Sequence, residues 1–326
     1  MKFNTNAPSL FCYLYQWAGD NNNCWDYCFG KEEALSTSLV SIVQNQKLDG
    51  VDIDYEYCFD TAGAQSGRCS QRTSAYTDFK AQTFLNDLTA KLRTKLDALQ
   101  ASNGYNRGRY ELTHAPMDSD ISSTTSKYYQ ILKNRSADLD FLMPQFYNGY
   151  TRPAVDGVSG TGVGSMSALS IYSNLSYDMF SGQPSKVVFG FCISDCAGTG
   201  SNVSGAQAAQ VMSELKTVNN GAFYCNGGAF FWVAEHDVGG GWSETVNGEV
   251  GLTAGCSTGN PSTSSTSSTV VTSTAGSTSS TTAAETTTTT AGSTTTATCG
   301  GEGAWCDDNR LCCSNQCNRR NNQCKA

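Results

Sequence analysis

Four acidic residues within eight positions, in the stretch DGVDIDYEY at 49–57, restrict what this chain can fold into more than any other feature. Val51, Ile53 and Tyr55 alternate with Asp52, Asp54 and Glu56, and branched or aromatic residues at every second position specify a strand. Alternate side chains of a strand share a face. The stretch therefore presents three carboxylates on one side, stepping roughly 6.6 Å apart, and an apolar face on the other that can pack against a helix layer. Asp49 is out of phase with this ladder and is expected to cap or brace the strand's entrance. Gly50 marks a point where the backbone approaches another part of the chain closely.

Three carboxylates aimed into one space repel one another, so at least one should keep its proton near neutral pH. A protonated carboxylic acid beside ionised ones is what cleavage of a glycosidic bond requires. Two plainer readings compete with this one, a divalent-metal site and a solvated strand face. A calcium loop beginning at Asp52 needs Gly at its sixth position and Glu at its twelfth, where this chain has Tyr57 and Gly63. Three ligands spread over roughly 13 Å of strand do not converge easily on one ion, so neither metal nor cofactor is expected. A solvated face would not come with a fully apolar opposite face.

The stretch resembles the DxxDxDxE signature of the family 18 glycoside hydrolases, the chitinase family, with Tyr55 where many members have Trp. Further segments follow in the family's order: LTHAPM at 112–117, FLMPQFYNG at 141–149, KVVFGFC at 186–192 and GGAFFWVAEHD at 227–237. The resemblance covers most of residues 31–256 and implies an α/β chain, a TIM-type (β/α)8 barrel of which strands four to eight are recognisable.

Roles for individual residues follow from the same resemblance. Glu56 is expected to be the general acid and then the base, Asp54 to orient the substrate's acetamido group, and Asp52 to tune the proton between Asp54 and Glu56. The sugar's own acetamido oxygen serves as nucleophile in this family, a substrate-assisted route. Gln145 and Tyr147 have the spacing of one strand face, and the Tyr hydroxyl would hold the acetamido carbonyl. Asn148 suits the QFYN variant of plant and fungal class III chitinases. Met117 would line the sugar site and Trp232 would floor it.

The rest of the chain sets the context. A chain of 326 residues exceeds one compact domain, so two units and a connector are expected. Lys and Arg number 21 against 29 Asp and Glu, a net charge of −8 with no basic run, which argues against nucleic acid as a partner. No apolar stretch is long enough to span a membrane. Fifteen cysteines and three Asn-x-Ser sequons, at Asn134, Asn174 and Asn202, point to an oxidising, extracellular destination. The first nineteen residues, with one Lys and a mixed apolar run interrupted by Gln16, lack the pattern of a signal peptide.

From Lys31, the residues Leu35, Leu39, Ile42 and Val43 form one helical stripe leading into the acidic strand. A second helix is expected over Tyr76–Leu99, with Phe79, Thr83, Phe84, Leu88, Leu92 and Leu96 on its packed face. A strand at Tyr110–Ala115 and a short helix at Tyr128–Leu132 come next, and a strand is possible within 8–19. The tract GVSGTGVGSM at 157–166 lacks the preceding strand and following Lys-Ser/Thr of a phosphate loop and reads as a loop. His114 and His236 stand in no nucleophile-activating arrangement and read as structural or pocket-lining. Local disulfides are expected between Cys58 and Cys69 and between Cys192 and Cys196, and Cys225 could pair with Cys256.

Three segments result. Residues 1–256 read as the hydrolase barrel. Residues 257–298, in which 29 of 42 are Ser or Thr, cannot bury apolar surface and read as an extended, O-glycosylated linker. Residues 299–326 carry Cys299, Cys306, Cys312, Cys313, Cys317 and Cys324, a density that signals a small unit held by disulfides. Its spacing resembles cystine-knot miniproteins and, more loosely, hevein-type chitin-binding domains, with Trp305 as the expected sugar contact.

The expected activity is endo-hydrolysis of β-1,4 bonds between N-acetylglucosamine units, with chitin or its oligosaccharides as the partner of a monomeric protein. An endo-β-N-acetylglucosaminidase acting on N-glycans and a non-catalytic chitin lectin are the alternatives. The acidic strand is normally the fourth of eight in the family, yet here it begins after 48 residues. At roughly 30 residues per strand–helix unit, the barrel is expected to be N-terminally incomplete.

Overall fold

The computed structural model describes residues 25–63, 74–103, 108–162, 164, 166–250, 256, 317–318 and 323–324. The expected strand within 8–19, Cys69, the linker at 257–298, Trp305, and Cys299, Cys306, Cys312 and Cys313 lie outside these residues. Val163 and Ser165 of the glycine-rich tract do so too.

Helices and strands alternate from the start of the described chain: α1 (Glu32–Gln46), β1 (Gly50–Ile53), α2 (Lys80–Asn103), β2 (Glu111–His114), α3 (Lys127–Asn134), β3 (Phe141–Leu142), α4 (Ala168–Ser173), β4 (Phe189–Cys192), α5 (Gly205–Gly221), β5 (Ala229–Trp232) and α6 (Gly241–Val250). β1, β2 and β3 pair in that order, all parallel, and β4 pairs parallel with β5. Parallel bridges Leu142–Val187 and Gln145–Gly190 carry the pairing across from β3 to β4. Five parallel strands pair in sequence order with helices between them, the βα succession of a parallel α/β fold. Among the described residues these strands do not close into a ring.

The helices form because their apolar stripes have somewhere to go. α1 buries Leu35 and Val43, and α2 buries Phe84, Leu85, Leu88, Leu92, Leu96 and Leu99 against the sheet. α2 begins later than its periodicity predicts. Asp78 and Phe79 both take left-handed φ of 56°, which no α-helix accommodates, so Phe79 is 72% exposed and Thr83 faces solvent. The packed stripe starts at Phe84 instead. Tyr55 is the centre of an aromatic cluster, with its ring 5.4 Å from Trp25, 5.2 Å from Phe59 and 6.2 Å from Tyr128.

Two glycines permit the close spacing of the sheet. A Cβ on Gly50 would stand 2.0 Å from the carbonyl oxygen of Glu111, its register partner on β2. A Cβ on Gly190 would meet the Pro144 carbonyl and the Phe230 ring, each at 2.5 Å. Asp49 joins the same entrance through its carbonyl, which accepts the Glu111 N–H at 2.9 Å.

At this N-terminal edge a polar network ties the starts of β2 and β3 to α2. Asp140 accepts the Leu112 N–H at 2.7 Å and the buried Arg93 guanidinium at 3.1 Å. Arg93 also reaches the Tyr110 carbonyl at 2.8 Å and Asp97 at 2.6 Å. Arg109 bridges Asp97 and Asp140 from outside.

Two disulfides match the pairs expected from the sequence, Cys192–Cys196 and Cys225–Cys256. Cys28 and Cys58 are disulfide-bonded as well. The chain divides into two units, Met1–Cys256 and Ser257–Ala326. In the second, β6 (Cys317–Asn318) and β7 (Gln323–Cys324) form an antiparallel pair with Cys317 opposite Cys324.

Candidate active site

The acidic stretch is half strand and half exit loop. β1 ends at Ile53, yet the alternation runs on beyond it: Ile53 and Tyr55 are buried, while Asp52, Asp54 and Glu56 reach solvent. The Tyr55 ring is locked in the core and its hydroxyl donates to the Cys58 carbonyl at 2.7 Å. That anchor turns Asp54 and Glu56 away from the core, at the C-terminal ends of the parallel strands.

Neighbouring strands supply the partners. Thr113 stands opposite Asp52 in the β1–β2 register and donates to Asp52 Oδ1 at 2.6 Å. Gln145, buried beyond β3, bridges to Met117 on one side and Gly190 on the other. Its Nε2 lies 3.0 Å from Asp54 Oδ1, 2.8 Å from Glu56 Oε1 and 2.9 Å from the Ala115 carbonyl. Two amide protons thus serve three acceptors, and one neutral donor ties two carboxylates together.

The electrostatics follow from that poverty of charge. Surrounding protein raises the proton affinity of Asp54 first, the charges of Glu56 and Asp52 add to it, and a hydrogen bond with Glu56 completes the effect; Gln145 opposes it. The result lifts Asp54 to about 8. Asp52 is raised too, by burial, against the lowering effect of Thr113. Asp52, Asp54 and Glu56 are all exposed to solvent, yet protein crowds round Asp52 and Asp54 closely enough to raise both, and the charges around Asp54 repel through a medium that screens less well than water. Near neutral pH Asp54 therefore favours its protonated form. Tyr147, also buried, has its hydroxyl held in the neutral form by burial and then by the negative charges of Asp54, Glu56 and Asp52.

Loops brace this edge. Tyr147 packs against the Cys192–Cys196 disulfide and Phe230, with the two rings 6.3 Å apart. Asn148 takes left-handed φ of 61°, which Asn tolerates better than most residues. Its N–H donates to Ser201 at 3.2 Å and its Oδ1 accepts Thr199 at 2.6 Å. Asp118 is wholly buried and accepts the Tyr150 N–H at 3.0 Å, the Thr151 N–H at 2.6 Å and the Thr151 hydroxyl at 2.6 Å. Its Oδ1 sits where a Gly149 Cβ would be, 1.7 Å away. Trp232 ends β5 opposite Cys192 and is 41% exposed.

Behind β2, His114 completes a buried chain. The Thr89 hydroxyl donates to the Leu85 carbonyl at 2.7 Å, so it must accept from His114 Nε2–H, 3.1 Å away. His114 Nδ1 then accepts the Tyr128 hydroxyl at 2.9 Å. Burial holds the imidazole neutral, with its pKa lowered to about 3. This chain joins α2, β2 and α3 on the face opposite the carboxylates.

Asp54, Glu56 and Gln145 are thus brought into contact, with Asp52 and Tyr147 beside them. Met117, Asn148 and Trp232 stand on the same edge, whereas Asp49 and Gly50 sit at the opposite end of β1. Sequence reasoning missed Thr113 and Asp118. Both lie inside or just after LTHAPM, but only the β1–β2 register and the fold of the 148–151 loop give them partners.

The profile of glycosyl hydrolases family 18 matches residues 30–284. Among solved structures, a GH18 chitinase from Pseudoalteromonas aurantia is similar at 26% identity, over 70% of this chain and 70% of that one, with a TM-score of 0.50. A GH18 chitinase from Cycas revoluta, solved with allosamidin, is 13% identical over 71% of this chain and 78% of its own, with a TM-score of 0.45. A chitinase-like agglutinin from Robinia pseudoacacia is 15% identical over 77% and 88%, with a TM-score of 0.47. No curated protein matches.

Proposed function

Because the chain belongs to glycosyl hydrolase family 18, with the TIM-barrel-like α/β fold this implies, we propose that it is an endo-acting chitinase using a retaining, substrate-assisted mechanism. The observation that carries this reading is the single Gln145 amide spanning Asp54 and Glu56, beside which Asp54 is pushed up to about 8. A pair of carboxyl groups sharing one proton supplies both the acid for departure of the leaving group and the charge that steadies a cationic ring. Kinship with the Pseudoalteromonas chitinase supports chitin as the substrate.

Glu56 gives its proton to the glycosidic oxygen as the bond to C1 breaks. The acetamido oxygen of the same sugar closes onto C1 from the other face, and Asp54 accepts the acetamido N–H and balances the oxazolinium charge. Tyr147 donates to the acetamido oxygen, and Gln145 keeps Asp54 and Glu56 in register. Glu56, now a carboxylate, takes a proton from the water that opens the oxazoline at C1. Two displacements at one carbon restore the β configuration. Asp52, held by Thr113, tunes the proton shared between Asp54 and Glu56. Trp232 offers an apolar floor to the sugar, and Met117 and Asn148 line its edges. In this reading the protein is secreted and monomeric, residues 1–256 act as the hydrolase, 257–298 as a stalk, and 299–326 as a chitin-holding module.

The test is digestion of N-acetylglucosamine oligomers with product anomers followed by NMR. Internal cuts giving β-anomers are expected, with no cut at a sugar lacking its acetyl group. Initial α-anomers, or equal cleavage of deacetylated blocks, overturn the substrate-assisted route. Release of glycans from glycoprotein with chitin untouched would identify an N-glycan-directed enzyme. Tight binding without turnover would identify a lectin.

A further inference from the structure

We propose that Asn134 carries an N-linked glycan while Asn202 and Asn174 are left unmodified, so that the fold selects one of three equivalent sequons. The tripeptides Asn134-Arg135-Ser136, Asn174-Leu175-Ser176 and Asn202-Val203-Ser204 are the same motif, but their surroundings differ. A bulky, hydrated glycan needs an asparagine amide and a hydroxyl residue two positions on that are both accessible.

Asn134 is the last residue of α3 and is exposed, and the chain runs from it into a turn at 135–138. Among the described residues neither its amide nor the Ser136 hydroxyl makes a hydrogen bond. Nothing in the fold has to be undone to place a sugar there. In a β/α succession the end of a helix lies beside the start of the next strand, so this glycan projects from the edge opposite Asp54 and Glu56.

Asn174 opens a π-helical turn, Asn174–Met179. Its carbonyl accepts the Tyr129 hydroxyl at 3.1 Å, and Ser176 is fully buried. The hydroxyl the motif requires is therefore shut inside the core.

Asn202 is committed at both ends of its carboxamide. Oδ1 accepts the Cys196 N–H at 2.7 Å and Nδ2 donates to the Ser194 carbonyl at 2.9 Å. Ser204 is equally occupied as the N-cap of α5, where it takes the Gln207 N–H at 3.3 Å and its hydroxyl meets Gln207 Oε1 at 3.0 Å. Asn202 also lies beside Ser201, which holds Asn148, so a glycan there would stand at the rim of the substrate site.

In the modification, Nδ2 of Asn134 bonds to the anomeric carbon of an oligosaccharide, whose bond to the phosphate oxygen of a lipid-linked diphosphate donor breaks. The amide proton leaves with the lipid diphosphate. The proposal rests on the secretory destination given above, and the test separates the two because the host supplies the secretory route.

The full chain, placed behind a host secretion signal in a eukaryotic cell, is digested, treated with peptide N-glycosidase and mapped by mass spectrometry. Deamidation of Asn134 to Asp in most molecules is expected, with occupancy several-fold above that at Asn174 or Asn202. Asn134→Gln and, independently, Ser136→Ala should each remove the glycan mass while leaving hydrolysis of soluble oligomers unchanged. An unmodified Asn134 in chain that has entered the lumen, or an occupied Asn202 in active enzyme, overturns the proposal.

Discussion

The two edges of the parallel sheet handle carboxylates in opposite ways. At the N-terminal edge Asp140 and Asp97 face Arg93 and Arg109, so these two negative charges each meet a guanidinium within 4 Å. At the C-terminal edge, the hydrogen bonds described for Asp52 and Glu56 come from a Thr hydroxyl and a Gln amide. Neutral donors orient a carboxylate without cancelling its charge, so repulsion survives and is relieved by holding a proton. One edge spends its acids on cohesion, the other keeps them reactive. The same residue type therefore serves stability or chemistry according to what stands opposite it, which agrees with the general division of labour between the two ends of such barrels.

The contrast is broken most severely at Glu56. Glu56→Gln keeps the shape and the hydrogen bond to Gln145 but removes the transferable proton. Turnover of chitin oligomers should fall by about 10²–10⁴-fold, with oligosaccharide affinity by calorimetry nearly unchanged. More than a few percent of residual turnover would mean that another group supplies the proton.

At the opposite edge the loss should appear in stability instead. Arg93→Leu leaves Asp140 without its buried partner and should cost about 3 kcal/mol in urea unfolding, while the KM of the folded fraction stays at the wild-type value. A raised KM with unchanged stability would erase the distinction between the edges.

A subtler intervention is Gln145→Leu. Losing hydrogen bonds to charged groups, each worth about 1.5–3 kcal/mol, should lower kcat by one to two orders of magnitude. Gln145 pulls the Asp54 pKa down, so its removal should move the alkaline limb of the kcat/KM profile, set by Asp54 at about 8, to higher pH. A limb that stays in place would detach Gln145 from the proton.

The smallest effect is thermodynamic. Asp54 has a higher pKa folded than unfolded, so its contribution to stability is fully present below the unfolded value near 4 and is lost as pH rises toward about 8. Asp54→Asn removes that loss. Thermal melts should show the variant gaining on the wild type as pH rises from acid to mildly alkaline, and matching it in acid. A constant offset across that range would show that Asp54 ionises normally.

Much of this arrangement is legible in the sequence. The period-two alternation at 51–56 shows which side chains turn away from the core, because only the apolar set gains from a place beside Tyr55. The strand itself is shorter than that alternation, ending at Ile53, because hydrogen-bonded pairing depends on a neighbour and not on pattern. The αβ alternation, the local disulfide Cys192–Cys196 and the possible pairing of Cys225 with Cys256 are equally readable. Phe79 was misread because helical spacing carries no information on the left-handed turn at Asp78 and Phe79. Thr113 and Asp118 were invisible for a deeper reason: a residue's partner across a register or between two loops is a property of the assembled sheet.

Asp118 has a consequence for anyone who wishes to rebuild the loops around the candidate site. Its carboxylate belongs to the loop after β2, while three of its hydrogen bonds and the glycine that makes room for it belong to the loop after β3. The two loops are one interchangeable part in two pieces. Transplanting either alone would strand a buried acid or leave a slot with nothing in it, so grafts that alter specificity should carry residues from both sides of Asp118 together.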